Sequence, residues 1–139
     1  MSAGSGPVPG PTGGPAWLSE VKFDDKGLVT AVAVDDAKGD VLMLAHMNAE
    51  ALQQTLKTGR MTYWSRSRKK IWVKGETSGN TQRMISAQLD CDGDALVFRI
   101  VQEGKGAACH EGYRSCFFRK FDGSNWEIQG SPVTGPISP

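Results

Sequence analysis

Three short segments of this chain gather side chains able to hold a metal, a phosphate or a planar ring. The first, Asp90-Cys91-Asp92-Gly93-Asp94, sets three carboxylates within five positions. Carboxylates so close repel one another unless a cation lies among them, and hard oxygen ligands suit Mg²⁺ or Ca²⁺. In an extended chain, alternation sends the three aspartates to one face and Cys91 to the other. An EF-hand loop does not fit: counting from Asp90, the sixth position is Ala95 rather than glycine, and the twelfth is Val101 rather than glutamate. An acidic turn between two strands, held by Gly93, accounts for the segment equally well.

The second segment runs Cys109-His110-Glu111-Gly112-Tyr113-Arg114-Ser115-Cys116. Its cysteines are seven apart, unlike the short Cys-x-x-Cys spacing of zinc fingers and ribbons. Alone the pair is a weak signal, because unbound cysteine is among the most buried residue types. With Cys91 the set becomes three thiolates and one adjacent histidine. Such a set can hold zinc while leaving a coordination position open, the arrangement of catalytic rather than structural sites. Zinc lowers the pKa of a bound water toward neutrality. His110, next to Cys109, can move protons to and from that water, or it can be a fourth ligand that closes the site.

The third segment, residues 63–80, holds three aromatic and five basic residues among several hydroxyls. Arginine forks and lysine heads bind phosphate, hydroxyls and a glycine-opened backbone add donors, and Trp64 or Trp72 can stack on a flat ring. Arg68, Lys69 and Lys70 read as the solvated tip of a hairpin. His46 lies in an apolar strand segment, Leu42-Met43-Leu44-Ala45-His46-Met47, and reads as a packed, hydrogen-bonded histidine.

The bulk properties narrow the classes. The chain has 139 residues, is 39% hydrophobic and 22% charged, and carries a formal charge of +1. That suits one globular domain and counts against a nucleic-acid groove, leaving a phosphorylated small molecule as the better ligand. Three cysteines would strand one thiol in a disulfide framework. Neither a secretory nor a transit pattern opens the chain, and no apolar run approaches a membrane span, so the cytoplasm is the expected compartment.

The elements that must position these residues follow from pattern. Residues 1–15 and 131–139 are rich in Gly, Pro, Ser and Thr and are expected to be flexible tails around a single domain over 16–130. Leu28–Val34 and Val41–Met47 read as a hairpin. Asn48 caps a helix over Ala49–Thr58, with Gly59 beyond its end and Leu52 and Leu56 toward the core. Strands are expected over Met61–Arg66, Lys70–Lys74, Met84–Cys91, Ala95–Val101, Ser115–Phe121 and Trp126–Gln129. One helix among many strands predicts an α+β fold with a largely antiparallel sheet and few short helices.

Taken in order, the three clusters resemble phosphoribosyl-AMP cyclohydrolases of histidine biosynthesis. The likeness runs from about Asp40 to Phe121. It rests on Tyr-Trp-Ser-Arg-Ser-Arg through Trp-Val-Lys-Gly-Glu-Thr-Ser-Gly-Asn, on Asp-Cys-Asp-Gly-Asp-Ala-Leu, and on Ala-Cys-His-Glu-Gly-Tyr-Arg-Ser-Cys-Phe. The resemblance implies hydrolysis of the N1–C6 bond of the adenine ring of phosphoribosyl-AMP by zinc-activated water, with magnesium also required. It implies an intertwined homodimer whose chains share each zinc site. Carried over residue by residue, it makes Cys91, Cys109 and Cys116 zinc ligands and Asp90, Asp92 and Asp94 the magnesium site. His110 becomes the proton-transfer residue, and Ser65, Arg66, Trp72, Lys74 and Ser78 bind the substrate. Glu111 stands where threonine is commoner. Some relatives carry a fused pyrophosphohydrolase domain, and the 17 residues after Asp122 leave no room for one.

Two other classes fit less well. A nucleobase deaminase would need His-x-Glu and Pro-Cys-x-x-Cys pieces that are missing here. A structural zinc module binding nucleic acid would want a fourth ligand and a strongly basic face.

Overall fold

Strands, one α-helix and one 3-10 turn (Ala16–Glu20) make up residues 14–136, the span that the computed structural model describes. Strands β1 (Val29–Asp35) and β2 (Val41–Met47) form the expected hairpin, closed by the Asp35 N–H donating to the Asp40 carbonyl at 2.9 Å. Helix α1 (Ala49–Thr58) follows at once. The Asn48 side chain accepts from the Ala51 N–H at 2.8 Å, a cap worth about 1 kcal/mol, and Gly59 ends the helix at φ 76°. The helix is amphipathic: Ala51, Leu52 and Thr55 are buried, while Glu50 and Lys57 are exposed. Thr55 ties it to the next strand, its hydroxyl accepting from the Thr62 N–H at 3.0 Å.

Strands β3 (Thr62–Ser65), β4 (Lys70–Val73), β5 (Gln82–Leu89) and β6 (Ala95–Gln102) complete a six-stranded sheet in the order β4-β3-β2-β1-β6-β5. Its pairs are antiparallel except β1–β6, which runs parallel from Thr30 opposite Ala95 to Asp35 opposite Ile100. The sheet curls. The Met61 N–H donates to the Gln82 carbonyl at 3.0 Å and the Met84 N–H to the Gly59 carbonyl at 2.8 Å, bringing β5 back to the start of β3. Inside lie Leu18, Phe23, Leu42, Met47, Leu52, Met61, Tyr63, Phe98 and Ile100. Each large apolar side chain so buried contributes about 1.5–3 kcal/mol. Strands β7 (Arg119–Phe121) and β8 (Trp126–Ile128) form a separate exposed hairpin.

The α+β expectation with a mostly antiparallel sheet holds. Two expected strands have other bounds than read. The run expected over Ser115–Phe121 becomes regular at Arg119, because the Ser115 hydroxyl and the Cys116 N–H donate instead to the Val41 and Leu42 carbonyls of β2, at 2.8 and 2.7 Å. The run expected to reach Cys91 ends at Leu89. Of the expected tails, residues 1–13 and 137–139 lie outside the described residues, while 131–136 lie within them. The Val133 and Thr134 N–H groups donate to the Gly112 carbonyl at 2.8 and 3.3 Å. Among the described residues no helix is long and apolar enough to cross a membrane.

Candidate active site

The loop between β6 and β7 folds back on itself. The Ala108 N–H donates to the Arg114 carbonyl and the Cys109 N–H to the Tyr113 carbonyl, both at 3.1 Å. This turn brings Cys116 back towards Cys109, near enough for the Cys109 thiol to act on that of Cys116. Gly112 sits at φ 91°, and a Cβ there would lie 2.1 Å from the Thr134 carbonyl oxygen, so the turn requires glycine. The loop is pinned from outside. Arg114 grips both carboxylate oxygens of Asp40 and lies 3.2 Å from Asp35, at the far end of the β1–β2 hairpin. The Arg114 guanidinium beside Asp40 holds that carboxyl below the usual carboxylate range. Tyr113 stacks on Phe118 with ring centroids 3.8 Å apart.

Cys109 is buried, and its sulfur accepts from the Glu111 N–H at 3.4 Å. Cys116 is exposed as a residue, yet burial of its sulfur, and then the neighbouring Cys109, push its thiol up to about 11. Lys74 works in the opposite direction. His110, between the cysteines, is exposed and makes no hydrogen bond to another described residue.

Asp90, Asp92 and Asp94 meet in a separate place. They form a turn rather than an extended strand: the Gly93 N–H donates to the Asp90 carbonyl at 3.1 Å, and the Asp94 N–H to Asp90 Oδ1 at 3.0 Å. Alternation of faces therefore does not apply here. The turn itself brings one oxygen of each aspartate within 4.8 Å of the others. A bond to Asp90, and then its charge, push the Asp94 carboxyl up. For Asp90, desolvation acts upward, but the backbone N–H groups of the turn outweigh it and its carboxyl is lowered. Crowding of this kind is what a divalent cation relieves. Gly93 packs so closely on the Glu20 carbonyl that a Cβ would lie 2.6 Å from it. Cys91 is exposed on this turn. Among the described residues the aspartates are the one metal-capable group of three, so Cys91 does not join Cys109 and Cys116 within the chain.

The basic and aromatic segment forms an open groove of about 680 Å³ beside β2, β3 and β4. Ser65, Arg66 and Trp72 line it, together with Trp64, Ser67 and His46. Trp72 is backed by Tyr63, whose ring lies 5.3 Å away and whose hydroxyl donates to Gln82 Oε1 at 2.7 Å inside the core. Breaking such a buried bond costs about 1–3 kcal/mol, so this support is firm. Lys74 and Ser78 do not line the groove. The Lys74 ammonium is buried against the Ala108 carbonyl at 2.7 Å, and the Ser78 hydroxyl accepts from the Asn80 N–H at 3.2 Å. Asn80 is buried too, its side chain accepting from the Lys105 N–H at 2.7 Å, so the Gly75–Asn80 stretch is a packed loop.

The profile of the phosphoribosyl-AMP cyclohydrolase family matches residues 43–118, a span holding all three clusters. The chain belongs to the phosphoribosyl-AMP cyclohydrolase family. It is similar to the phosphoribosyl-AMP cyclohydrolase of Chromobacterium violaceum, at 58% identity over 121 residues, covering 87% of this chain and 91% of that one. The Salinibacter ruber protein of the same name is 53% identical over 119 residues, covering 86% and 92%. That of Bordetella petrii is 54% identical over 109 residues, covering 78% and 81%.

Within this cyclohydrolase fold, sequence reasoning missed two features. His46 was expected to be hydrogen-bonded; it makes no such bond to another described residue and faces the groove near Arg66. Burial, then the Arg66 charge, lower its pKa, so the imidazole is neutral at pH 7. Period two along β2 sets His46 on the face of Leu44, which is exposed, and that exposure cannot be read from hydropathy. The Arg114–Asp40 clamp was missed because its partners are 74 residues apart.

Proposed function

We propose that the chain hydrolyses the N1–C6 bond of the adenine ring of phosphoribosyl-AMP, the ring-opening step of that stage of histidine biosynthesis. The observation that carries this reading is the family match, whose span contains every residue the sequence nominates for the site. Water adds its oxygen to carbon 6, the C6–N1 bond breaks and N1 takes up a proton. His110, exposed beside Cys109, delivers that proton. Arg66 and Ser65 meet the phosphate with charge-assisted and hydroxyl hydrogen bonds, and Trp72 stacks on the base.

The donor chemistry fits two metals. Cys109 and Cys116, with Cys91, would hold zinc, and Asp90, Asp92 and Asp94 would hold magnesium, as soft thiolates and hard carboxylates respectively prefer. Zinc, when bound, supplies the Lewis acidity that makes water nucleophilic near neutral pH.

The separation of Cys91 from the other two thiols favours an intertwined homodimer, in which Cys91 of one protomer completes the Cys109–Cys116 pair of its partner. The exposed apolar side chains Phe117, Phe121, Trp126 and Ile128 suit a surface covered by a second copy. Three free thiols suit the reducing cytoplasm.

Incubating the protein with phosphoribosyl-AMP and magnesium, with and without zinc, and following the ultraviolet absorbance of ring opening tests the reading. Turnover that disappears with chelation and returns with zinc supports it. An absorbance that never changes in the zinc-loaded protein overturns the activity, and turnover indifferent to chelation overturns the metal.

A further inference from the structure

Lys74 carries a charge that no carboxylate balances. The residue is 4% exposed, and no acidic side chain among the described residues forms an ion pair with it. Its ammonium has two partners: the Ala108 carbonyl at 2.7 Å and the Trp72 ring, whose centroid is 5.5 Å away. A neutral carbonyl and an aromatic face offset little of the desolvation of a buried cation, which ordinarily needs an anion beside it. The groups placed to supply one are thiols. Ala108 immediately precedes Cys109. Burial lowers the Lys74 ammonium from its ordinary value, and the charges of Cys116 and Cys109 oppose that shift.

The charges then match. Three thiolates around a divalent zinc leave one net negative charge, and one lysine cancels it. We infer that Lys74 is a positioning residue for the metal site, its ammonium the counter-charge of the thiolates. This moves Lys74 away from the substrate contacts among which the sequence places it. The inference rests on the zinc reading above.

A counter-charge has a signature that a packing role lacks. Without metal there are no zinc-bound thiolates for Lys74 to balance, and removing it should not harm the fold. With metal it is needed. Zinc affinity, by competition against a chromophoric chelator, and the melting temperature of the metal-stripped protein are therefore measured for the parent, Lys74→Met, Lys74→Gln and Lys74→Arg. The methionine variant should bind zinc about 10–100-fold more weakly, the range for residues that support a metal's ligands, while its stripped form melts at the parent's temperature or above. Lys74→Arg should recover most of the affinity. Lys74→Gln keeps a donor near Ala108 without the charge, and it should bind as weakly as Lys74→Met. It also serves if the methionine variant misfolds. Parent-like affinity in Lys74→Gln, or zinc affinity and stripped stability falling together, would overturn the inference and leave Lys74 a structural peg. A parent that takes up no zinc would instead sink the zinc reading, and the inference with it.

Discussion

The acidic turn at 90–94 and the thiol loop at 107–118 both follow a strand of the main sheet, and both carry side chains of types that can bind metal. The fold treats them in opposite ways. The three aspartates are exposed, meet within one turn, and need only local backbone bonds to converge. The thiol loop is held from several directions: by Arg114 on Asp40, by Ser115 and Cys116 on β2, by Lys74 under Ala108, and by residues 133–134 over Gly112. Even so, it gathers two thiols and not three. A hard-cation site can be local and solvated, because its ligands are happy in water before the ion arrives. A thiolate site must be built by distant parts of the fold, because its neutral thiols have no reason of their own to stay together.

The sharpest way to break this contrast is to attack the third thiol. Cys91→Ser and Cys109→Ser should each lose nearly all activity, since either removes a ligand from every site. Unfolding and refolding them together should restore activity in mixed dimers, up to about one site per dimer. Mixed dimers that form and stay dead would place each zinc within a single chain.

His110→Ala should come next, lowering turnover by about 10²–10⁴-fold while metal analysis finds parent-like zinc. Zinc lost in step with activity would make His110 a ligand. Asp92→Asn should be milder, weakening the magnesium requirement about tenfold through the loss of one charge from a hard-ligand set, with zinc retained. An unaltered magnesium titration would reduce the aspartates to a turn.

The smallest effect tests the clamp. Asp40 is partly exposed, and solvent screening holds its ion pair with Arg114 to about 1 kcal/mol or less. Its carboxyl is lowered in the fold, so the stabilisation is present above the ordinary value of 3.8 and is lost as the pH falls through the lowered native one. Asp40→Asn should therefore melt below the parent at pH 7, and the gap should close as the pH falls through the lowered native value. A gap that persists in acid would show that charge is not what holds the loop.

Local features were legible from the sequence. The bounds of β2 and α1 follow from an alternating apolar run and from Asn48 and Gly59, each acting within a few residues. Cys109 and Cys116 were legible as a pair through residue type. The acidic turn held by Gly93 was one of two readings the sequence left open, and the backbone bonds of the turn decide for it over extended alternation. The burial of Lys74 was not legible. The family resemblance places it among the substrate contacts, and its burial depends on Ala108, 34 residues away.

The parallel pairing of β1 with β6 has a consequence in time. A hairpin such as β1–β2 can close as soon as it is made, but the other edge of β1 waits for a strand about sixty residues downstream. At roughly 5–20 residues per second of synthesis, that edge stays open for several seconds. Its N–H and C=O groups, flanked by Val29, Ala31 and Ala33, are then available to any other extended chain. Birth on the ribosome, rather than later life as an enzyme, is when this protein is most exposed to aggregation.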